Sequence, residues 1–111
     1  MITTHVLDTS IGRPAAGVAV TLERREGAAW QHVGVGATDA DGRVQSLLPP
    51  DRSAAPGHYR LTFAVAAYFA ARGVASFYPE VTVVFDVRDA AQHYHVPLLL
   101  SPFGYTTYRG S

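Results

Sequence analysis

The closing stretch His93–Ser111 concentrates chemistry: two histidines, three tyrosines and an arginine surround the apolar run Val96–Leu100. In a strand alternate residues share a face, so His93 and His95 project together while Tyr94 and Val96 point the other way. Two adjacent imidazoles suit a zinc site, which needs three nitrogen or carboxylate ligands and an open position. They equally suit a pocket lined by one histidine and flanked by the other. Taken singly, each of His5, His32, His58, His93 and His95 is more often a hydrogen-bonded structural residue. His32 and His58 stand beside turns among polar neighbours. Asp39-Ala-Asp-Gly42 opens like a calcium loop, but its twelfth position is Pro50, where a bidentate glutamate is required, so calcium is excluded. Arg43 follows that turn at once and by itself reads as a solvated charge. A glycine-rich phosphate loop and a Gly-x-Ser-x-Gly elbow are both missing. Without cysteine there is no thiolate ligand, disulfide or cysteine nucleophile.

The elements that must position these residues are short strands. The first is expected over Thr3 to Leu7, with His5 on one face and Val6 on the other. Ser10–Gly17 is turn-rich. Val18, Val20 and Leu22 then face inward against Thr21 and Glu23, and Trp30–Ala37 alternates through Val33, Val35 and Ala37. Asp39–Gly42 predicts a hairpin turn leading into a strand over Val44–Leu47, because glycine tolerates positive φ and aspartate caps its own backbone. Pro49–Gly57 is a loop, followed by a stripe of Tyr59, Leu61, Phe63 and Val65. Ala64–Arg72 predicts a short helix stopped by Gly73. Val81–Val87 aligns Val81, Val83, Phe85 and Val87, and two last strands cover His93–Leu100 and Gly104–Arg109. About eight short strands with regular turns predict an antiparallel β-sandwich. In the strand Val96–Leu100 both faces are apolar. One buries in the domain core, and the other calls for a second cover, which in so small a chain points to another subunit.

At 111 residues the chain is expected to form one domain over residues 1–111, able to fold without staples. Nine arginines balance nine acidic residues, which gives no electrostatic footprint for nucleic acid or membrane. Met1–Asp8 lacks the charged and apolar regions of a signal peptide, and no apolar run is long enough to cross a membrane, so a soluble cytoplasmic protein is expected.

Four segments together resemble the 5-hydroxyisourate hydrolases, the transthyretin-related enzymes of urate breakdown. They are Thr4-His-Val-Leu-Asp-Thr9 with Gly12-Arg-Pro-Ala15, Thr38-Asp-Ala-Asp-Gly-Arg43, Phe77-Tyr-Pro-Glu-Val81, and His93-Tyr-His-Val-Pro-Leu-Leu-Leu-Ser-Pro-Phe-Gly-Tyr-Thr-Thr-Tyr-Arg-Gly-Ser111. The final Tyr-Arg-Gly-Ser is the specific part, since it separates these hydrolases from the hormone-carrying transthyretins of the same fold. Thr106 stands where serine is commoner and keeps the hydroxyl. The resemblance implies a transthyretin-like sandwich that hydrolyses 5-hydroxyisourate to 2-oxo-4-hydroxy-4-carboxy-5-ureidoimidazoline. It assigns His5, Arg43, His95 and Ser111 to catalysis and His5, Arg43 and Tyr108 to substrate binding, and leaves His93 outside the set. It also implies a homotetramer, a dimer of dimers with sites in the cleft between dimers, and no metal or cofactor. Two other readings remain beside it. One is a transthyretin-like carrier of small aromatic ligands without turnover, and the other a zinc-dependent hydrolase using His5, His93 and His95.

Overall fold

The computed structural model describes residues 1–50 and 52–111. Two sheets face each other across a single core. The first contains β1 (Ile2–Asp8), β2 (Arg13–Pro14), β5 (Arg43–Val44), β8 (Tyr94–Ser101) and β9 (Gly104–Thr107); the second contains β3 (Ala19–Glu26), β4 (Ala29–Ala37), β6 (Gly57–Phe63) and β7 (Val81–Val87). The second sheet runs in the order β4-β3-β6-β7 and is antiparallel throughout. In the first, β1 is central, with β2 and β5 on one side and β8 on the other.

The period-2 stripes account for the core. Ile2, Val6, Val18, Val20, Leu22, Tyr59, Leu61, Phe63, Leu98 and Leu100 all lie buried between the sheets, and this apolar burial is the main driving force for the sandwich. Helix α1 (Val65–Ala71) ends as expected, with Gly73 at φ 71° and its N–H donating to the Ala70 carbonyl. The helix turns Val65, Tyr68 and Phe69 inward.

Three features depart from the expected sandwich. β1 and β8 pair in parallel, Thr3 opposite His95 and His5 opposite Pro97, so the architecture is antiparallel apart from that junction. Asp39–Gly42 is a turn, with the Gly42 N–H donating to Asp39 O at 2.9 Å, but it joins strands of different sheets rather than a hairpin. β4 belongs to one sheet and β5 pairs with β1 of the other. β5 is also short, ending at Val44 where a strand to Leu47 was expected.

The reason lies in β4. Val33 is an extra residue at a bulge between Leu22 and Glu23, so Val20 and Leu22 face Gly36 and Gly34. Beyond the bulge the inward positions are therefore glycines, and Val35 is 67% exposed, while Val33 packs against the core. A Cβ on Gly34 would overlap the Leu47 carbonyl, and one on Gly36 would stand 3.1 Å from Val44 Cγ1. Bare backbone here lets the segment after Arg43 lie directly over β4 and bury Val44, Leu47 and Leu48.

Candidate active site

Three remote segments meet on the outer face of the first sheet. β1 alternates cleanly: Ile2, Thr4, Val6 and Asp8 point into the core, leaving Thr3, His5 and Leu7 on the other face. The parallel register sets His95 beside Thr3 and Pro97 beside His5. On the opposite side of β1, Arg43 pairs with His5.

Arg43 is delivered by its turn. Asp39 Oδ1 accepts from the backbone N–H of Asp41 at 2.9 Å and of Arg43 at 3.0 Å, and the Asp39 N–H donates to the Arg43 carbonyl. Gly42, at φ 75°, donates no side chain, and any Cβ there would collide with the Val6 carbonyl. That close approach lets Val6 N–H reach Gly42 O at 2.7 Å, which locks Arg43 across from His5.

The tail closes the site. The Gly110 N–H donates to His95 O at 2.8 Å, forming a bridge between the chain end and β8. The imidazole of His95 lies against Gly110, so that a Cβ there would stand 2.5 Å from His95 Cδ2 and 3.1 Å from Pro97 Cγ. Arg109 holds the tail from the other side, its guanidinium 4.7 Å from the Tyr94 ring centre and donating to Gln92 Oε1 at 3.0 Å. The Tyr94 hydroxyl in turn accepts from the N–H groups of Arg88 and Asp89, which fixes the start of β8.

The result is an open cleft of about 180 Å³ lined by Thr3, Thr4, Arg43, His95, His93 and Ser111, among others. Arg43, His95 and Ser111 thus share one cleft, and His5 flanks it on the same sheet face. Tyr108 lies apart: it is exposed and lines a separate cavity with Val83, Phe85, Tyr94 and Val96. His32 borders a third cavity, and His58 stands 3.7 Å from Asp86 on the surface. His93 and His95 stack with ring centres 6.3 Å apart. Among the described residues no group of three His, Asp or Glu side chains converges as a metal site.

Electrostatics favour a neutral His95. Burial lowers its pKa from the ordinary 6.5, and the charge of Arg43, joined by those of His93 and His5 whenever they are protonated, lowers it further. A neutral imidazole beside a guanidinium can take a proton from water while the arginine meets a developing anion.

Two residues that pack on His95 had no role of their own in the sequence reading. Thr3 Oγ1 lies 2.8 Å from His95 Nδ1 and 3.1 Å from His93 Nε2. Its only advance signal was spacing, since it sits two residues before His5 and so on the same face. Gly110 entered the sequence reading only as part of the closing Tyr-Arg-Gly-Ser.

The model of the HIUase/Transthyretin family matches residues 2–110. The chain belongs to this family. Across all 111 residues it is 45% identical to the 5-hydroxyisourate hydrolase of Salmonella typhimurium, covering 81% of that protein. The structure of Klebsiella pneumoniae 5-hydroxyisourate hydrolase superposes with a TM-score of 0.86 at 36% identity, over 99% of this chain and 98% of that one. Sea bream transthyretin, crystallised with thyroxine, superposes at 0.91 and 33% identity over 98% of this chain and 93% of that one. Within the HIUase/Transthyretin family, then, the backbone superposes on both a 5-hydroxyisourate hydrolase and a thyroxine-bound transthyretin.

Proposed function

We propose that this protein hydrolyses 5-hydroxyisourate, with His95 and His5 handling protons and Arg43 holding the urate-like substrate. The observation that carries this reading is the convergence of Arg43, His95 and Ser111 on one cleft, with His5 beside it. These residues come from segments up to about a hundred positions apart. A carrier has no use for a neutral imidazole that shares a cleft with a guanidinium and the chain's last residue.

The chemistry follows from the groups present. A water in the cleft attacks a ring amide carbonyl and gives its proton to imidazole, whose neutral form is favoured here. The carbonyl oxygen gains negative charge, and the Arg43 guanidinium stabilises it with charge-assisted hydrogen bonds. Collapse breaks the ring C–N bond, and the imidazolium returns its proton to the leaving nitrogen. No covalent enzyme intermediate is needed, and Ser111 serves to close the cleft and orient water or substrate.

Leu7 and Leu99 are half-buried on the outer face of the first sheet, and Tyr108 is exposed at its separate cavity. This supports covering by further subunits in a homotetramer, a dimer of dimers whose sites lie between dimers and bring Tyr108 to the substrate. Light scattering would then report four chains, and an active monomer would contradict it. Among the described residues no helix is long and apolar enough to cross a membrane, and cytoplasmic action on a small diffusible substrate fits this reading.

Hydrolase and carrier separate by stoichiometry. With 5-hydroxyisourate in roughly hundredfold molar excess, the hydrolase consumes the whole excess ahead of spontaneous decay. A carrier protects one portion per site and leaves or slows the rest, and that outcome would overturn the proposal.

A further inference from the structure

The Thr3 hydroxyl is wedged between two imidazoles. It is 2.8 Å from His95 Nδ1 and 3.1 Å from His93 Nε2, and Thr3 as a residue is 7% exposed. A hydroxyl has one proton to donate, and these rings offer two nitrogens. The direction of that proton decides which nitrogen of His95 carries hydrogen.

Consider what a base in the cleft requires. With Nδ1 engaged by Thr3, Nε2 is the ring nitrogen left for water or substrate, and it must present a lone pair. A neutral His95 then carries its hydrogen on Nδ1 and donates it to Thr3 Oγ1. Thr3 must send its own proton elsewhere, and His93 Nε2 is the acceptor in reach. The chain therefore runs His95 Nδ1–H to Thr3 Oγ1–H to His93 Nε2. When His95 takes a proton at Nε2, every bond in the chain keeps its direction and each dipole points its negative end at the new charge.

We propose that Thr3 and His93 are positioning residues for the reaction: the hydroxyl relay between them holds His95 in the Nδ1–H tautomer that leaves Nε2 basic. This inference rests on the hydrolase reading, but the tautomer it assigns is a property of the resting protein. The placement explains two features at once. His93, which has no direct role in the chemistry above, is the terminal acceptor. Thr3 is β-branched on a central strand, so its side-chain torsion is restricted and its hydroxyl keeps its aim. The relay also crosses the β1–β8 junction, where the parallel register places Thr3 opposite His95.

The test is nitrogen-15 NMR of histidine-labelled protein, paired with steady-state kinetics. Wild type and Thr3→Ser keep the hydroxyl and show His95 as the Nδ1–H tautomer. Thr3→Val keeps the shape, removes the hydroxyl and shifts His95 toward the Nε2–H form that a free histidine prefers. Its kcat falls by about a hundredfold, the low end of what a positioned general base contributes, while KM stays near wild type. Thr3→Ser restores kcat, which a packing role would not require. His93→Ala, which spares the Thr3 hydroxyl, moves the His95 tautomer in the same direction. An Nε2–H tautomer in wild type, or an unchanged tautomer and kcat in Thr3→Val, overturns the relay. If the protein lacks turnover altogether, the kinetic arm exposes that separately, and the NMR arm still decides the relay.

Discussion

Gly110→Ala tests whether the tail acts through the orientation of His95. The added methyl would lie 2.5 Å from His95 Cδ2 and 3.1 Å from Pro97 Cγ. Ordinary carbon–carbon contact is about 3.5–4.0 Å, so the two groups must separate by about 1 Å. Pro97 is buried within β8, and Gly110 is tied to His95 by a backbone hydrogen bond at 2.8 Å. The imidazole is therefore the part that gives, and moving it stretches its 2.8 Å contact with Thr3. Overpacking costs roughly 1–3 kcal/mol in a closed core and less at this half-exposed position, so the fold survives. Displacing a reacting group by about 1 Å can cost a hundredfold in rate. The expected result is a kcat near one hundredth of wild type, or ~2.7 kcal/mol of barrier. The melting temperature should shift little. Steady-state ultraviolet kinetics and a circular-dichroism melt measure both. A folded Gly110→Ala protein with wild-type kcat would refute the idea that the glycine clears space for the working imidazole.

Other expectations follow from the same geometry. His95→Ala should lose at least about a hundredfold in kcat while remaining folded, since the base contributes that much or more; a near-normal rate would move the base elsewhere. The acid limb of kcat/KM should lie below the 6.5 of an ordinary histidine, because burial, the charge of Arg43 and any proton on His93 or His5 disfavour the imidazolium. The sign carries over to stability: the unfolded chain binds the proton more readily, so this contribution is full above 6.5 and is lost as pH falls through the lowered folded value. An NMR titration of His95 with a midpoint above 6.5 would reverse both statements. Away from the cleft, Tyr68 donates to buried Asp8 Oδ2 at 2.8 Å, and burial first, then that bond, pushes the phenol up to about 12. Tyr68→Phe leaves a buried carboxylate oxygen unpaired and should cost about 1–3 kcal/mol in urea unfolding, with an unchanged midpoint speaking against that pairing.

Local patterns were legible where a residue's fate is set by its neighbours in sequence. The stripes Val18-Val20-Leu22 and Tyr59-Leu61-Phe63, the helix ending before Gly73 and the opposed faces of His5 and Val6 all follow from periodicity. What could not be read locally depends on which remote segment arrives. The alternation of β4 ran through Val33, Val35 and Ala37, but after a bulge at Val33, which still packs against the core, Gly34 and Gly36 take the inward positions under the crossing of Leu47 and Val44, and Val35 is exposed. Asp39–Gly42 announced a turn, yet its destination in the other sheet depended on that same crossing. The candidate site divides in the same way. His5, Arg43, His95 and Ser111 were marked by residue type and by the tail, whereas Thr3 became visible only once β1 and β8 paired in parallel. His93, set aside on the sequence, is joined to His95 by that hydroxyl.

The most direct test of the central claim is an ultraviolet time course on 5-hydroxyisourate generated in place from urate by urate oxidase, with chelator present throughout. Decay faster than the blank, at an initial rate proportional to added protein, is the predicted result. Decay no faster than the blank, from folded protein with an untagged C-terminus, would contradict the assignment of this cleft to hydrolysis and leave the carrier reading in its place.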